Sequence, residues 1–293
     1  MPGLEGELTI VLSGGPLEKE YRAVCNALAR AGTNANATFD PKPYDPAAIE
    51  SVRDMWLERM AFEHRSTTVF SYLAAQLMEA NATLDAKVVM LRMAQDELRH
   101  TETCGRVVET LGGKASRMSR IDVAPLAVHP GCSPEERAMR NVIYTTCLSE
   151  MTAVANFVDT LDRIGDPYMR ARTRDLLADE VLHGQFGFHY LASWKDWLDA
   201  NESVRGSIHR YLRHAFVVIE RVLGAKPPPG TPRLTADQEA LGFVDPFRAS
   251  EVFYGTMEGA VIPALDTYGF DASRAWRERR LEPGAPPEPD VRV

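Results

Sequence analysis

Two Glu-x-x-His pairs carry the most specific chemistry in this chain: Glu97 with His100, in QDELRHTE, and Glu180 with His183, in ADEVLHGQ. On a helix, positions i and i+3 share a face, so each pair presents a carboxylate and an imidazole to one metal ion. Seven histidines and 23 glutamates in 293 residues supply about half of one such pair by chance. The aspartate before each pair, Asp96 and Asp179, lowers that expectation to roughly 0.03. Two occurrences, both deep in helical stretches, therefore count as a motif.

A pair of ions needs two further glutamates from two other helices. In an antiparallel hairpin, two residues lie level when the turn falls midway between them. Glu63 and Glu97 have their midpoint at 80, beside a turn at Asn81, and Glu150 and Glu180 have theirs at Gly165. Glu58 competes with Glu63, but its midpoint with Glu97 falls at 77–78, inside a helix, so Glu63 is preferred. Each residue is then about 22–26 Å from its own turn at 1.5 Å per residue. The expected ligand set is Glu63, Glu97, His100, Glu150, Glu180 and His183, all at one level.

Four carboxylates balance two divalent cations, which explains how so many acids can lie in a core. The oxygen and nitrogen donors suit two iron ions, with manganese or a mixed manganese–iron pair as alternatives. A ligating imidazole usually gives its other N–H to a carboxylate. Asp96 is expected to serve His183, and Asp179 to serve His100, each across helices.

The elements that must position these groups follow from apolar periodicity and helix stop signals. Helix A is predicted over about 47–80, helix B over 84–111, helix C from Ser133 to about 164 and helix D over 167–199. Ser133, Pro134 and Glu136 form a capping-box sequence for helix C. A long crossover over 114–132 joins B to C, and a fifth helix spans about 202–223. Residues 1–45 read as an N-terminal extension with a short strand (LTIVL) and a helix between Pro16 and Gly32. Residues 46–225 read as the di-metal bundle. Residues 226–280 read as a C-terminal helical extension packed on it, with a kink or stop near Pro263, and 281–293 as a disordered tail. The fold class is thus all-α, a four-helix bundle with extra terminal helices.

A net charge of −8 argues against nucleic acid as a partner. No apolar run approaches the roughly 20 residues of a membrane span, and no signal peptide is legible at the N-terminus. Four cysteines without a CxxC spacing point to a cytoplasmic protein.

The pattern E…DExxH…E…DExxH resembles that of the ferritin-like di-iron carboxylate superfamily. DELRHTETC is similar to the matching segment of bacterial multicomponent monooxygenase hydroxylase subunits, including Arg99 within the motif and Cys104 four residues after the histidine. ADEVLH is similar to the second motif of those proteins and of acyl-carrier-protein desaturases. The likeness covers about residues 50–200 and is specific for the metal site. It departs at Val154, where the hydroxylases carry Thr, and at Leu182, where a basic residue is common. Cys104 stands where ribonucleotide reductase radical subunits carry Tyr, and Ala153 where rubrerythrins carry a further Glu.

The resemblance implies O₂ as co-substrate, an external electron donor (a ferredoxin or reductase) and a small organic or carrier-bound substrate. Hydroxylation, desaturation and N-oxygenation are the reactions expected of it. A peroxidase or ferroxidase of rubrerythrin or ferritin type, or a non-catalytic metal-binding scaffold, are the alternative readings. Arg99, Asp96 and Asp179 are expected to support the ligands from behind. Thr67, Cys104, Cys147, Val154 and Phe157, one or two turns from ligands, are read as lining a substrate pocket. Gly184 and Gly187 are read with them, as residues that open space or mark a π-bulge, against the alternative of close helix packing. The flanking segments are free to cover the bundle, shape the entrance or form a homodimer contact.

Overall fold

The computed structural model describes residues 5–9, 37–120 and 126–280, with positions 18, 19, 22, 23, 25 and 26 between them. Four helical rods dominate. The first two are α1 (Pro46–Glu79) and α2 (Leu84–Thr110), joined by a tight turn in which Asn81 has φ 49°. The third rod is built from α3 (Pro134–Val142), a π-helical segment (Ile143–Glu150) and α4 (Met151–Leu161). The fourth is α5 (Pro167–Ser193).

Three rods start the same way. Asp45, Ser133 and Asp166 each accept a backbone N–H of the first turn, and Pro46, Pro134 and Pro167 come directly after them. The cap satisfies an otherwise unpaired donor, and the proline costs no hydrogen bond there. The carboxylate of Glu136 accepts from Arg140 Nη2 at 2.5 Å.

The rods pack as two hairpins, α1 on α2 and the third rod on α5, and the hairpins meet where α1 touches α3 and α2 touches α5. Each rod passes through two separate apolar clusters. One holds Phe70, Leu77, Met90, Met93, Ile143, Phe186 and Leu191, and the other Val52, Trp56, Met60, Cys104, Phe157, Met169 and Leu176. On every rod the switch between clusters falls at a predicted ligand level: between Met60 and Phe70, Met93 and Cys104, Leu148 and Phe157, and Leu176 and Phe186. A polar layer is therefore clamped between two apolar ones.

Helix D breaks at Trp194 into α5 and α6 (Lys195–Ala200), and α7 (Glu202–Leu223) comes next. The crossover, expected as plain connection, carries a strand: β2 (Ser116–Arg120) pairs antiparallel with β1 (Glu5–Thr9). β1 overlaps the start of the predicted LTIVL strand; residues 10–12 lie outside the described residues, as do most of the 16–32 helix and the 281–293 tail. After α8 (Ala236–Ala240), α9 (Pro246–Thr256) runs through a π segment (Met257–Val261) into α10 (Ile262–Asp266), and α11 (Ala272–Glu278) is the last helix among the described residues. The π segment sits just before Pro263. A wider turn there relieves the clash between the proline ring and the carbonyl four residues earlier. Phe253, Met257, Leu265 and Trp276 join the first apolar cluster, and α11 packs on α7. No described helix is long and apolar enough to cross a membrane.

Gly187 shows why α5 needs a residue without a side chain. A Cβ there would collide with Thr146 Oγ1 and Cys147 Sγ of the π segment. Gly187→Ala is expected to cost about 1–3 kcal/mol by overpacking and to loosen metal binding, because the π segment ends in Glu150. Urea unfolding and metal affinity measured together check this; unchanged values for both would contradict it.

Candidate metal centre

Glu63 stands on α1, Glu97 and His100 on α2, Glu150 at the end of the π segment, and Glu180 and His183 on α5. All six are buried, from Glu150 at 8% exposure to His183 at 0%. They fall into two groups that share one residue. Glu63, Glu97, His100 and Glu180 offer ligand atoms within 4.8 Å of one another, and so do Glu150, Glu180 and His183.

Glu97 and Glu180 occupy the middle. Glu180 Oε1 is 3.1 Å from His100 Nδ1, and its Oε2 is 3.2 Å from His183 Nδ1. Glu97 Oε1 is 3.1 Å from His183 Nδ1, and its Oε2 is 4.0 Å from His100 Nδ1. Glu63 lies on the His100 side, 3.9 Å from Nδ1. The π segment widens the helix by one residue, which rotates the residues after it about the rod axis. It delivers Glu150 to the His183 side. Within it, the Thr146 hydroxyl donates to the Val142 carbonyl at 2.7 Å.

The far side of each ring meets an aspartate of the opposite motif. His100 Nε2 is 3.4 Å from Asp179 Oδ2, and His183 Nε2 is 3.7 Å from Asp96 Oδ2. Arg99 Nη2 donates to Asp96 at 2.8 Å and to Asp179 at 2.5 Å. Arg92, one turn before Asp96, donates to it from Nε at 3.3 Å and reaches within 3.9 Å of Asp179. Sequence reasoning missed Arg92, although its i, i+4 spacing to Asp96 was the signal available. Two arginines offset the two aspartates, and four glutamates remain.

The arrangement fits a pair of divalent cations. Glu97 Oε2, Glu180 Oε2, His100 Nδ1 and His183 Nδ1 are buried without a hydrogen-bond partner, and all four face the space between the rods. Unpaired buried polar atoms are costly, and metal coordination satisfies all of them together. Cys104 is buried beside the cluster but outside both groups. Burial and the Glu63 charge push its thiol well up, so the donor set is oxygen and nitrogen.

Burial and the charges of Glu97 and Glu180 push the Glu63 carboxyl well above the ordinary range, and burial with Glu180 and Glu97 does the same to Glu150. Burial opposes ionisation of Glu180 too, but His183 and His100 overcome it and hold that carboxyl low. Burial likewise opposes charge on the imidazoles. Asp179 and Glu180 overcome it at His100, and Glu180 and Asp96 at His183, so both rise well above the usual histidine range. Against burial, His183 and Arg99 bring Asp96 down to about 2.

Glu63, Glu150, His100 and His183 thus hold protons in the fold that an unfolded chain would release, and bound cations would expel them. Their contribution to stability is full below their unfolded values and is lost as pH rises toward the folded ones. Glu180 and Asp96 contribute in the opposite sense, but theirs is lost only as pH falls below their ordinary values. From about pH 5 to about pH 8 the Tm of metal-stripped protein is therefore expected to fall, while that of metal-loaded protein does not. Parallel profiles for the two preparations would contradict this.

A cavity of about 360 Å³ opens beside the cluster, and Glu63, Glu97, Glu150 and Glu180 form part of its wall. Of the residues read as pocket lining, Phe157 lines it. Thr67, Cys104, Cys147, Val154, Gly184 and Gly187 do not. Gly184 faces Met151 and Val154 of α4, and Gly187 faces Thr146 and Cys147 of the π segment, so both glycines serve close helix packing and the π segment lies opposite Gly187. Among the lining residues that sequence reasoning missed are Trp56, Arg59, Phe62 and Asn156, on helix faces where a lining residue and a core residue look alike. No family model, curated protein or solved structure matches the chain.

Proposed function

We propose that the four rods form a ferritin-like bundle holding two iron ions, and that the protein is an O₂-dependent oxidoreductase acting on a small organic substrate. Glu63, Glu97, His100 and Glu180 would hold one ion, and Glu150, Glu180 and His183, with Glu97, the other. Two iron ions so held would supply the electrons and oxidising power for O₂ chemistry, with an external donor to recharge them.

The chain's own residues do the rest. Asp179, 3.4 Å behind His100 Nε2, and Asp96, 3.7 Å behind His183 Nε2, would turn Nδ1 of each histidine to the cluster. Arg99 ties the two aspartates together, so the two halves of the site move as one. The flanking apolar clusters shield the ligand layer from water at its two ends. The cavity places a substrate against the carboxylates rather than the histidines, which do not line it. The observation that carries the reading is that Glu97 and Glu180 each face both histidines while Glu63 and Glu150 each serve one side. The cavity favours oxygenase or oxidase chemistry over iron storage.

The test is O₂ consumption by iron-loaded protein with a chemical reductant, with and without small organic acids, alcohols and amines. Uptake stimulated by an organic compound, with an oxidised product, is expected. Turnover of hydrogen peroxide or ferrous ion that no organic compound affects would replace this reading with a peroxidase or ferroxidase.

A further inference from the structure

The cavity beside the cluster holds a cation and a donor that the metal site does not use. Arg59 stands one helical turn before Glu63, so both project from the same face of α1. Its guanidinium carbon lies 4.4 Å from the centre of the Phe157 ring and 5.4 Å from that of Trp56. All three residues line the cavity, together with the four glutamates. Among the described residues Arg59 makes these aromatic contacts but no ion pair. Trp56 is 2% exposed, and its indole N–H has no acceptor.

Charge balance isolates Arg59 further. Two divalent ions would offset the four glutamates, Arg92 and Arg99 already meet Asp96 and Asp179, and Glu58, also on the cavity wall, pairs with Arg117. The positive charge of Arg59 remains, as does that of Arg65 on the same wall. A loaded cavity is therefore net positive and partly apolar, with Phe62 and Phe157 beside the charge. A neutral alcohol or amide would satisfy the indole but leave the guanidinium without its counter-ion. The Arg59 fork and the Trp56 N–H together match a singly charged planar group, whereas a phosphate dianion would call on Arg65 as well.

We propose that the cavity takes a substrate bearing a carboxylate, held by the Arg59 guanidinium and the Trp56 indole N–H, with its apolar body against Phe62 and Phe157 and its reacting end toward Glu63 and Glu150. This rests on the metal-centre reading and specifies the substrate class.

The experiment uses full-length, metal-loaded protein and calorimetric titration with phenylacetate, 4-phenylbutyrate and hexanoate, each against its primary amide, and with phenyl phosphate. At least one carboxylate is expected to bind about tenfold or more tightly than its amide, the usual scale of a charge-assisted contact. Arg59→Gln should erase that preference and Arg59→Lys should keep part of it. The inference is overturned if no carboxylate outbinds its amide, if phenyl phosphate binds best, or if the preference survives Arg59→Gln, which would place the carboxylate on the metal ions instead. Metal content of the same samples separates the two claims. Wild-type protein that fails to hold two ions contradicts the metal centre, and two ions with no carboxylate preference contradicts only the role of Arg59.

Discussion

Glu180→Ala protein is expected to lose both metal ions, whereas Glu150→Ala protein keeps about one per chain. The difference comes from membership. Glu180 belongs to both ligand groups, with one oxygen 3.1 Å from His100 and the other 3.2 Å from His183. Glu150 belongs only to the group on the His183 side. Removing Glu180 also takes a carboxylate within 3.2 Å of each of two buried imidazoles, and unpaired buried charge is costly. Glu180→Gln keeps the size of the side chain and separates loss of metal from loss of packing. The check is elemental analysis after loading and desalting, with circular dichroism to show that each variant is folded. Equal metal loss in Glu180→Ala and Glu150→Ala would contradict the shared-ligand arrangement.

The second large effect is expected away from the ions. Asp179→Asn should weaken binding at the His100 side about 10–100-fold, and Asp96→Asn should do the same at the His183 side. Each aspartate meets the outer nitrogen of the histidine from the other motif. An asparagine in its place offers a neutral acceptor and removes a charge that Arg99 and Arg92 are positioned to meet. Competition with a chelator reads the two affinities separately. If each variant weakened the ion on its own helix rather than the opposite one, the crossed pairing would be wrong.

That crossed pairing was legible in the sequence because both ends of it rest on strong periodic signals. The Glu-x-x-His spacing fixes which helix face each pair occupies. The midpoints at residue 80 and Gly165 set the level, and the observed turns at Asn81 and after α4 lie where those midpoints require. The starts of three rods were equally readable from Asp45, Ser133 and Asp166, each with proline as the next residue.

The features that escaped depend on long-range packing. The π segment of the third rod has no local signature. Its partner, Gly187, does carry one, but a helical glycine signals small size without saying whether the space beside it is open or filled, and here Thr146 and Cys147 fill it. The break at Trp194 lacks a proline or glycine to announce it. Strand β2 is five residues of mixed character, SRMSR, made into a strand by its pairing with Glu5–Thr9. Cavity lining escaped for the same reason. Arg59 on α1 reads as an ordinary surface cation until Phe157 and Trp56 are seen against it.

The most direct measurement is a crystal of the protein loaded anaerobically with ferrous iron, with diffraction recorded on both sides of the iron absorption edge. Two anomalous peaks per chain are predicted, one beside Glu63 and His100 and the other beside Glu150 and His183, with Glu97 and Glu180 between them. A single peak, or iron found elsewhere while these six side chains stay empty, would contradict the account.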